Sequence, residues 1–196
     1  HITRVSHRLS VTSAGSIAYF SDPTMNGDLV GFSLASNGGA FDLGTQSRRC
    51  TATNSPNLTS QLGFVTEIEV SPDDDNIVYV GSHINHALQK VQWTGNNCSV
   101  VTSVGRGLNW ISSNSGSANE LDADVVGFSG VWGLHVTSTR ILTATARGYV
   151  DEFDEDLFTV ANRNTTWLQQ MGGPRIRRWD GVKQAINAIV NDSTLT

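Results

Sequence analysis

An internal repeat constrains the fold of this 196-residue chain more than any other feature. Three segments follow one order: an apolar strand, a turn, a second apolar strand, a loop and an alternating strand. The second strands contain Ile17, Ile77 and Ile141, which lie roughly 60 residues apart along the chain. Four short antiparallel strands per unit is the arrangement of a propeller blade. The sequence therefore predicts an all-β fold with three propeller-like, four-stranded antiparallel blades, and leaves a β-sandwich or jelly roll as the alternative.

The predicted strands are bounded by turn residues in each unit. They cover residues 8–12, 17–20, 28–34 and 41–46 in the first unit, 64–70, 77–80, 87–93 and 99–104 in the second, and 131–136, 141–145, 148–154 and 157–161 in the third. The second strand of the middle unit is a continuous apolar run, typical of a strand buried on both faces. Trp93 and Trp132 lie within strand patterns, which predicts that both belong to the core.

The C-terminal residues depart from the repeat. Asp180 is a candidate N-cap, and it precedes apolar residues at helical spacing: Val182, Ala185, Ile186, Ile189 and Val190. We therefore divide the chain into a β-rich, blade-like domain over 1–165 and a C-terminal segment with a short helix over 166–196. Three arginines just before this helix, Arg175, Arg177 and Arg178, are interpreted as a solvated turn.

Composition and cysteine count bear on compartment and partners. The net charge of -5 argues against nucleic-acid binding, and no apolar run reaches the length of a membrane span. Cys50 and Cys98 form either one disulfide or two buried thiols. Few lysines and four glycosylation sequons, at Asn57, Asn97, Asn164 and Asn191, favour an extracellular, secreted glycoprotein. The chain begins at His1, as a processed secretory product or a truncated piece does.

The stretch from Val65 to Ser82 contains a Ser-Pro-Asp turn followed by an Ile-Val-Tyr-Val strand. It resembles the blade signature of lactonase-like and YVTN-type β-propellers, a group that includes fungal carboxymuconate cyclase-like proteins. Gly27 to Leu34 resembles the strand that follows in such blades. The resemblance extends over residues 5–160 and implies a propeller fold. Such proteins have more blades than three, so the resemblance also implies a fragment, an oligomer or a larger assembly.

A second resemblance gives an alternative function. The stretch from Arg8 to Pro23 is similar to a hairpin in the jelly-roll coat proteins of small plant viruses. Those coats carry a basic arm that neutralises RNA, whereas this chain is acidic and has no such arm. A viral coat protein is therefore the third-ranked function.

Three polar residues fall at similar places after the second strand of each unit: Asp22, His83 and Arg147. In a propeller these strand ends point towards one face near the central channel. A carboxylate, an imidazole and a guanidinium there are expected to bind an anionic or polyol ligand and to polarise a carbonyl group. Trp110, in a loop rich in Gly, Ser and Asn, is the candidate for stacking on a sugar or on a partner surface.

A metal site is an alternative use of the histidines. His83 and His86 form an His-x-x-His pair, and a free N-terminal His1 can chelate copper through its amino group and ring. This set resembles the copper site of lytic polysaccharide monooxygenases, although Ile2 and the residues after it do not match that family. Copper is the cofactor of this alternative only, and the leading interpretation needs no cofactor.

The leading functional hypothesis is a secreted β-propeller-type module. It binds a small molecule, a glycan or a protein, or forms part of a lactonase-like hydrolase, and it acts as an oligomer or within a larger assembly. A copper-dependent polysaccharide oxidase is the alternative.

Overall fold

The computed structural model describes residues 8–22, 27–37, 40–52, 62–82, 87–104, 119–121, 130–145, 148–154 and 176–180. Within these ranges the chain forms only strands and turns, in three antiparallel sheets. No helix in them is long and apolar enough to cross a membrane.

The first two sheets are four-stranded meanders, in which each strand pairs with the next along the chain. The first sheet contains β1 (Leu9–Val11), β2 (Ile17–Asp22), β3 (Asp28–Asn37) and β4 (Ala40–Cys50). The second sheet contains β5 (Val65–Val70), β6 (Ile77–Ser82), β7 (Ala87–Thr94) and β8 (Asn97–Val104).

The third sheet has five strands in the order β10, β11, β12, β13, β9. Its members are β9 (Asn119–Leu121), β10 (Val131–Val136), β11 (Arg140–Thr145), β12 (Tyr149–Asp154) and β13 (Ile176–Asp180). The all-β, blade-like prediction is thus confirmed, with the predicted strands of the first two units all present. The meander order favours blades over the jelly roll, whose strands follow Greek-key connections.

Two strands of the third sheet were missed. The outer positions next to β12 are occupied by β13 and then by β9. The interpretation of Arg177 and Arg178 as part of a solvated turn is wrong, because both lie in β13, where the sequence Ile-Arg-Arg-Trp-Asp shows no alternation typical of a strand. Pairing with β12 provides the backbone partners that make it a strand. The predicted strand over 157–161 and the helix after Asp180 lie outside the described residues.

The first strands of the three sheets lie side by side. β5 packs against β1 on one side and against β10 on the other. Between the first two sheets lies an apolar core that contains Tyr19 and Leu29 from the first sheet and Ile68, Val70 and Trp93 from the second. The ring of Trp93 stacks on the ring of Tyr19, with 5.9 Å between the two ring centroids. The Arg48 guanidinium lies 5.6 Å from the centroid of the Trp93 ring.

The two tryptophans predicted to be core differ. Trp93 is buried at 3 % exposure, as predicted, but Trp132 is 62 % exposed, so that prediction is wrong. The register of β10 against β11 shifts between Val131 and Gly133, which leaves Trp132 at a bulge without a cross-strand partner. A bulge turns its side chain out of the alternation that the sequence pattern assumed.

A disulfide joins Cys50 of β4 to Cys98 of β8. It settles the alternative left open by the sequence, between one bridge and two buried thiols. The bridge connects the outermost strands of the first and second sheets, at the opposite end of each sheet from β1 and β5. The first two sheets are therefore linked covalently at the outside and by packing at the inside.

Candidate functional site

Four charged or titratable side chains meet where the first strands of the three sheets lie together. They are Arg8, just before β1, Glu67 and Glu69 on β5, and His135 on β10, and we call them the central cluster. Each of the three sheets contributes at least one member. The cluster is thus formed only when all three sheets are assembled.

Arg8 connects all three sheets. Its Nε donates a hydrogen bond to Oε1 of Glu67, and its Nη2 donates to the backbone carbonyl of Trp132 at 3.0 Å. The Arg8 side chain is 45 % exposed, whereas that of Glu67 is only 8 % exposed. Burial raises the pKa of the Glu67 carboxyl above its usual value, and the hydrogen bond and charge of Arg8 oppose that rise.

Glu69 and His135 form a second pair across the sheets. The Nδ1 atom of His135 lies 3.0 Å from Oε1 of Glu69. The imidazole is 63 % exposed, and the carboxylate is 24 % exposed. A carboxylate at this distance accepts a hydrogen bond from a protonated Nδ1 and so orients the ring. Within the described part of the chain, Nε2 has no recorded protein partner, so it can reach a ligand.

Local sequence explains why both glutamates point to the same place. Residues two apart on a strand share a face, so Glu67 and Glu69 lie together on β5. A bulge at Thr66, between Val65 and Glu67, sets which face that is. The Thr66 hydroxyl lies 3.1 Å from the carbonyl oxygens of both Gly81 and Val131, so it anchors the bulge between the second and third sheets.

The cluster combines groups with distinct chemistry. A partly exposed guanidinium can bind a carboxylate, phosphate or carbonyl oxygen, and the carboxylates can accept hydrogen bonds from hydroxyl groups. The imidazole held by Glu69 can accept a proton from water or a hydroxyl. The arrangement therefore suits a small, oxygen-rich ligand, and it contains a potential general base.

The residues predicted from the strand ends are not tested by this geometry. Asp22 is the last residue of β2 and is therefore equivalent to Ser82, the last residue of β6, so His83 comes one position later in the fold. The side chain of Asp22 lies outside the described residues, and so do His1, His83, His86, Trp110 and Arg147. Of the sequons, Asn97 starts β8 and is exposed, whereas Asn57, Asn164 and Asn191 lie outside the description.

In the described ranges, no group of three or more His, Cys, Asp or Glu side chains is placed to hold a metal ion. The copper alternative depends on His1, His83 and His86, which none of those ranges includes. It therefore stays a prediction.

Sequence reasoning missed the whole central cluster. It looked at the ends of the second strands, whereas the cluster lies on the first strands. A usable signal was present: Arg8, Glu67 and His135 each interrupt or border an otherwise apolar strand. A charged residue on an innermost strand is costly to bury unless it is paired or functional.

Several solved structures are similar to this chain, among them that of one bacterial protein. It is a putative 6-phosphogluconolactonase from Bacteroides fragilis NCTC 9343, 16% identical in sequence, with a TM-score of 0.48. The match covers 76% of this chain and 35% of that chain, so this chain spans about a third of the length of that protein. No protein-family model matches the sequence. No curated protein matches it significantly.

Proposed function

We propose that this chain is a propeller-type module that binds a small, oxygen-rich molecule, such as a sugar acid, at the central cluster. The observation that carries the proposal is the convergence of Arg8, Glu67, Glu69 and His135 from three separate sheets. The imidazole of His135 is 63 % exposed, so a ligand can reach it while it stays paired with Glu69. Other ligands in this hypothesis are a glycan or a protein loop rich in hydroxyl and carboxylate groups.

The charges of the cluster indicate how such a ligand would bind. Arg8, which stays bonded to Glu67 and to the Trp132 carbonyl, would attract a carboxylate or carbonyl oxygen through its positive charge. His135 would bond a hydroxyl or a ring oxygen through Nε2, with Glu69 behind it. Glu67 would act through Arg8, because its own carboxylate is buried.

A lactonase-like hydrolase is the second candidate, and the pair of His135 and Glu69 favours it. Hydrolysis of a lactone needs a base that activates water and a positive group that stabilises the oxyanion. His135 Nε2 would accept the proton of the attacking water, and Arg8 would stabilise the negative oxygen of the tetrahedral intermediate. The bond between the water oxygen and the ring carbonyl carbon forms in that same step. When the ring C–O bond then breaks, the protonated imidazole returns the proton to the leaving ring oxygen.

Calorimetric titration tests binding, with gluconate and xylitol as the probes. We expect gluconate to bind, and Arg8→Gln and His135→Ala to weaken it at least about tenfold, which corresponds to about 1.4 kcal/mol. Gln92→Ala is the control, because Gln92 is an exposed side chain on β7 outside the cluster. Absence of binding by both probes at about 10 mM, or equal binding by all variants, would refute the proposal.

Turnover separates the two candidate functions. Wild-type protein is assayed by pH-stat with glucono-δ-lactone and a panel of other lactones. An enzyme would show turnover that falls by about 100-fold or more in His135→Ala, the range expected for loss of a general base. A binding module would retain gluconate without any turnover.

We also propose that the chain is a secreted glycoprotein. Disulfides form mainly in oxidising compartments, and the Cys50–Cys98 bridge fits that setting. Asn97, beside the bridge, is exposed and begins a sequon. Mass spectrometry before and after glycan removal, on protein expressed in eukaryotic cells, would detect a glycan there. An unmodified Asn97 in secreted material would argue against glycosylation at this site.

A further inference from the structure

Each of the first two sheets packs one face against the following sheet. One face of the first sheet and one face of the third therefore have no sheet packed on them among the described residues. We call the face of a sheet that packs against the following sheet its front face, and the opposite face its rear face. The first sheet's front face, with Tyr19 and Leu29, packs on the rear face of the second, which includes Ile68 and Val70. The second sheet's front face packs on the third, where Gly81 meets Val131.

Equivalent positions can be assigned from the hairpin that joins the first two strands of each sheet. In each hairpin, the backbone N–H of a residue before the turn donates a hydrogen bond to the backbone carbonyl of a residue after it. The accepting carbonyls belong to Ile17, Ile77 and Arg140. Counting from that carbonyl, Leu9 and Val11 of β1 are equivalent to Ile68 and Val70 of β5. On the front faces, the equivalent sets are Tyr19, Tyr79 and Leu142, and Leu29, Leu88 and Val150.

The rear face of the first sheet is apolar, and among the described residues its β1 end is exposed while Ala18 and Val30 on the same face are buried. Leu9 is 56% and Val11 is 43% exposed, whereas their equivalents Ile68 and Val70 are 6% and 7% exposed. Phe20 and Phe32, on the same face, are only half-buried and pack edge to face. This face has the composition of a rear face that a preceding sheet covers.

The front face of the third sheet is its counterpart. Tyr19, Tyr79, Leu29 and Leu88 are buried at 0–1% exposure, whereas their equivalents Leu142 and Val150 are half-buried. Trp132 occupies the position of Thr66, whose hydroxyl reaches the Val131 carbonyl of the following sheet. The third sheet therefore presents the side chains of a front face with no sheet in front of it among the described residues.

We propose that a second copy of this chain occupies these faces, with the rear face of its first sheet on the front face of the other copy's third sheet. The molecule already makes this type of contact twice, between its first and second and between its second and third sheets. The two exposed faces are the two halves of one such contact, so a second copy brings both halves. Two head-to-tail contacts of this kind would close a ring from two copies, each with three sheets.

Sedimentation equilibrium of the full chain at about 1 to 100 µM tests the proposal. We expect a mass twice the 21.1 kDa of one chain at the upper concentrations. A rear-face variant, Leu9→Asp with Val11→Asp, and a front-face variant, Trp132→Asp, would each weaken association at least about 100-fold by burying unpaired carboxylates. Val101→Asp on β8, at 46% exposure, is the matched control and should still dimerise.

A mixing experiment distinguishes the head-to-tail contact from a symmetric one. Each variant alone lacks one half of every contact and should be monomeric. An equimolar mixture retains one intact contact, the front face of one variant on the rear face of the other, and should form a heterodimer. Formation of that heterodimer also shows that both variants are folded. Leu142→Asp is a second front-face variant that can replace Trp132→Asp in the same experiment.

A monomeric wild-type protein at 100 µM would overturn the proposal. A dimer that neither variant weakens, or variants whose mixture stays monomeric while each is folded by circular dichroism, would also overturn it. The ligand-binding proposal is tested separately with Leu9→Asp plus Val11→Asp and with Trp132→Asp, which replace no side chain of the central cluster. Leu142→Asp is used only for the association measurements, because Leu142 is the cross-strand partner of His135.

Discussion

The guanidinium of Arg49 donates two hydrogen bonds to Oδ2 of Asp28, from Nε at 2.9 Å and from Nη2 at 2.7 Å. The other oxygen, Oδ1, accepts the backbone N–H of Ala52 at 2.7 Å. Asp28 is 1% exposed, so these protein donors take the place of water around its carboxylate. The carboxylate thus ties the start of β3 to the end of β4 and to Ala52, two residues after the disulfide-bonded Cys50.

Asp28→Ala is expected to lower the free energy of unfolding by about 3 kcal/mol, because it leaves Arg49 and the Ala52 N–H without their acceptor. Urea denaturation followed by circular dichroism measures the change. Asp73→Asn is the control: Asp73 is exposed and accepts one hydrogen bond, from the Ser138 hydroxyl, so its loss should cost less than about 1 kcal/mol. Equal effects in the two variants would contradict a special role for Asp28.

Removal of the disulfide is expected to be costly. The bridge closes a loop with a sequence separation of 48, for which the chain-entropy estimate is about 4 kcal/mol. Cys50→Ser with Cys98→Ser should shift the urea midpoint downward, and reduction of the wild type should give a similar shift. A reduced wild type as stable as the oxidised form would show that the contacts between the first two sheets suffice alone.

Protonation of Asp75 should lower the free energy of unfolding in acid. Burial raises the pKa of its carboxyl, but hydrogen bonds from Ser13 and Ala14 outweigh this and hold the pKa below the usual value. A lowered folded-state pKa stabilises the protein above the unfolded pKa, near 4, and this is lost as pH falls through the folded value. Asp75→Asn should therefore flatten the decline in unfolding free energy below about pH 4. An unchanged decline would contradict it.

The effect of Glu67 on the pH dependence of the unfolding free energy should be opposite to that of Asp75. The pKa of Glu67 is raised, chiefly by burial, so its contribution is present below the unfolded pKa and is lost as pH rises through the folded value. Glu67→Gln should thus flatten any loss of stability just above about pH 4.3, where Asp75→Asn has no such effect. The same urea titrations at closely spaced pH values test both variants.

Close packing at Gly81 gives another prediction. A Cβ atom at Gly81 would lie 2.6 Å from the Cβ of Val131, closer than two carbon atoms can approach. Gly81→Ala should cost about 1–3 kcal/mol, the range for overpacking of a core. Val131→Ala would keep the Cβ atom that makes the clash, whereas Val131→Gly removes it. The double variant Gly81→Ala with Val131→Gly should therefore recover part of the stability lost in Gly81→Ala, which a double-mutant cycle measures as a coupling energy. Simple additivity would contradict the contact.

Strand positions were largely predictable because they depend on local patterns. The alternation in Val65–Val70 and the apolar run in Ile77–Ser82 report burial one residue at a time. Turn residues such as those around Gly95 then fix where the chain reverses. In contrast, β13 carries no such pattern, and its pairing with β12 comes from a partner distant in sequence.

The candidate site was not predictable in this way. Glu67 and Arg8 are 59 positions apart, and His135 and Glu69 are 66 positions apart. No periodicity in the sequence states that β1, β5 and β10 lie side by side, or that a bulge turns Trp132 outward. The cluster and the exposed positions on the rear face of the first sheet and the front face of the third depend on how whole sheets pack.

The amino-acid sequence by itself determined the repeat, most of the strands and the all-β class, because hydrophobic period and turn chemistry act within a few residues. Only the tertiary structure decided which charged side chains meet and that Cys50 pairs with Cys98. It also decided which apolar residues, such as Leu9, stay exposed. Those outcomes depend on distances between residues far apart in the chain, which are set when the sheets bury their faces against one another.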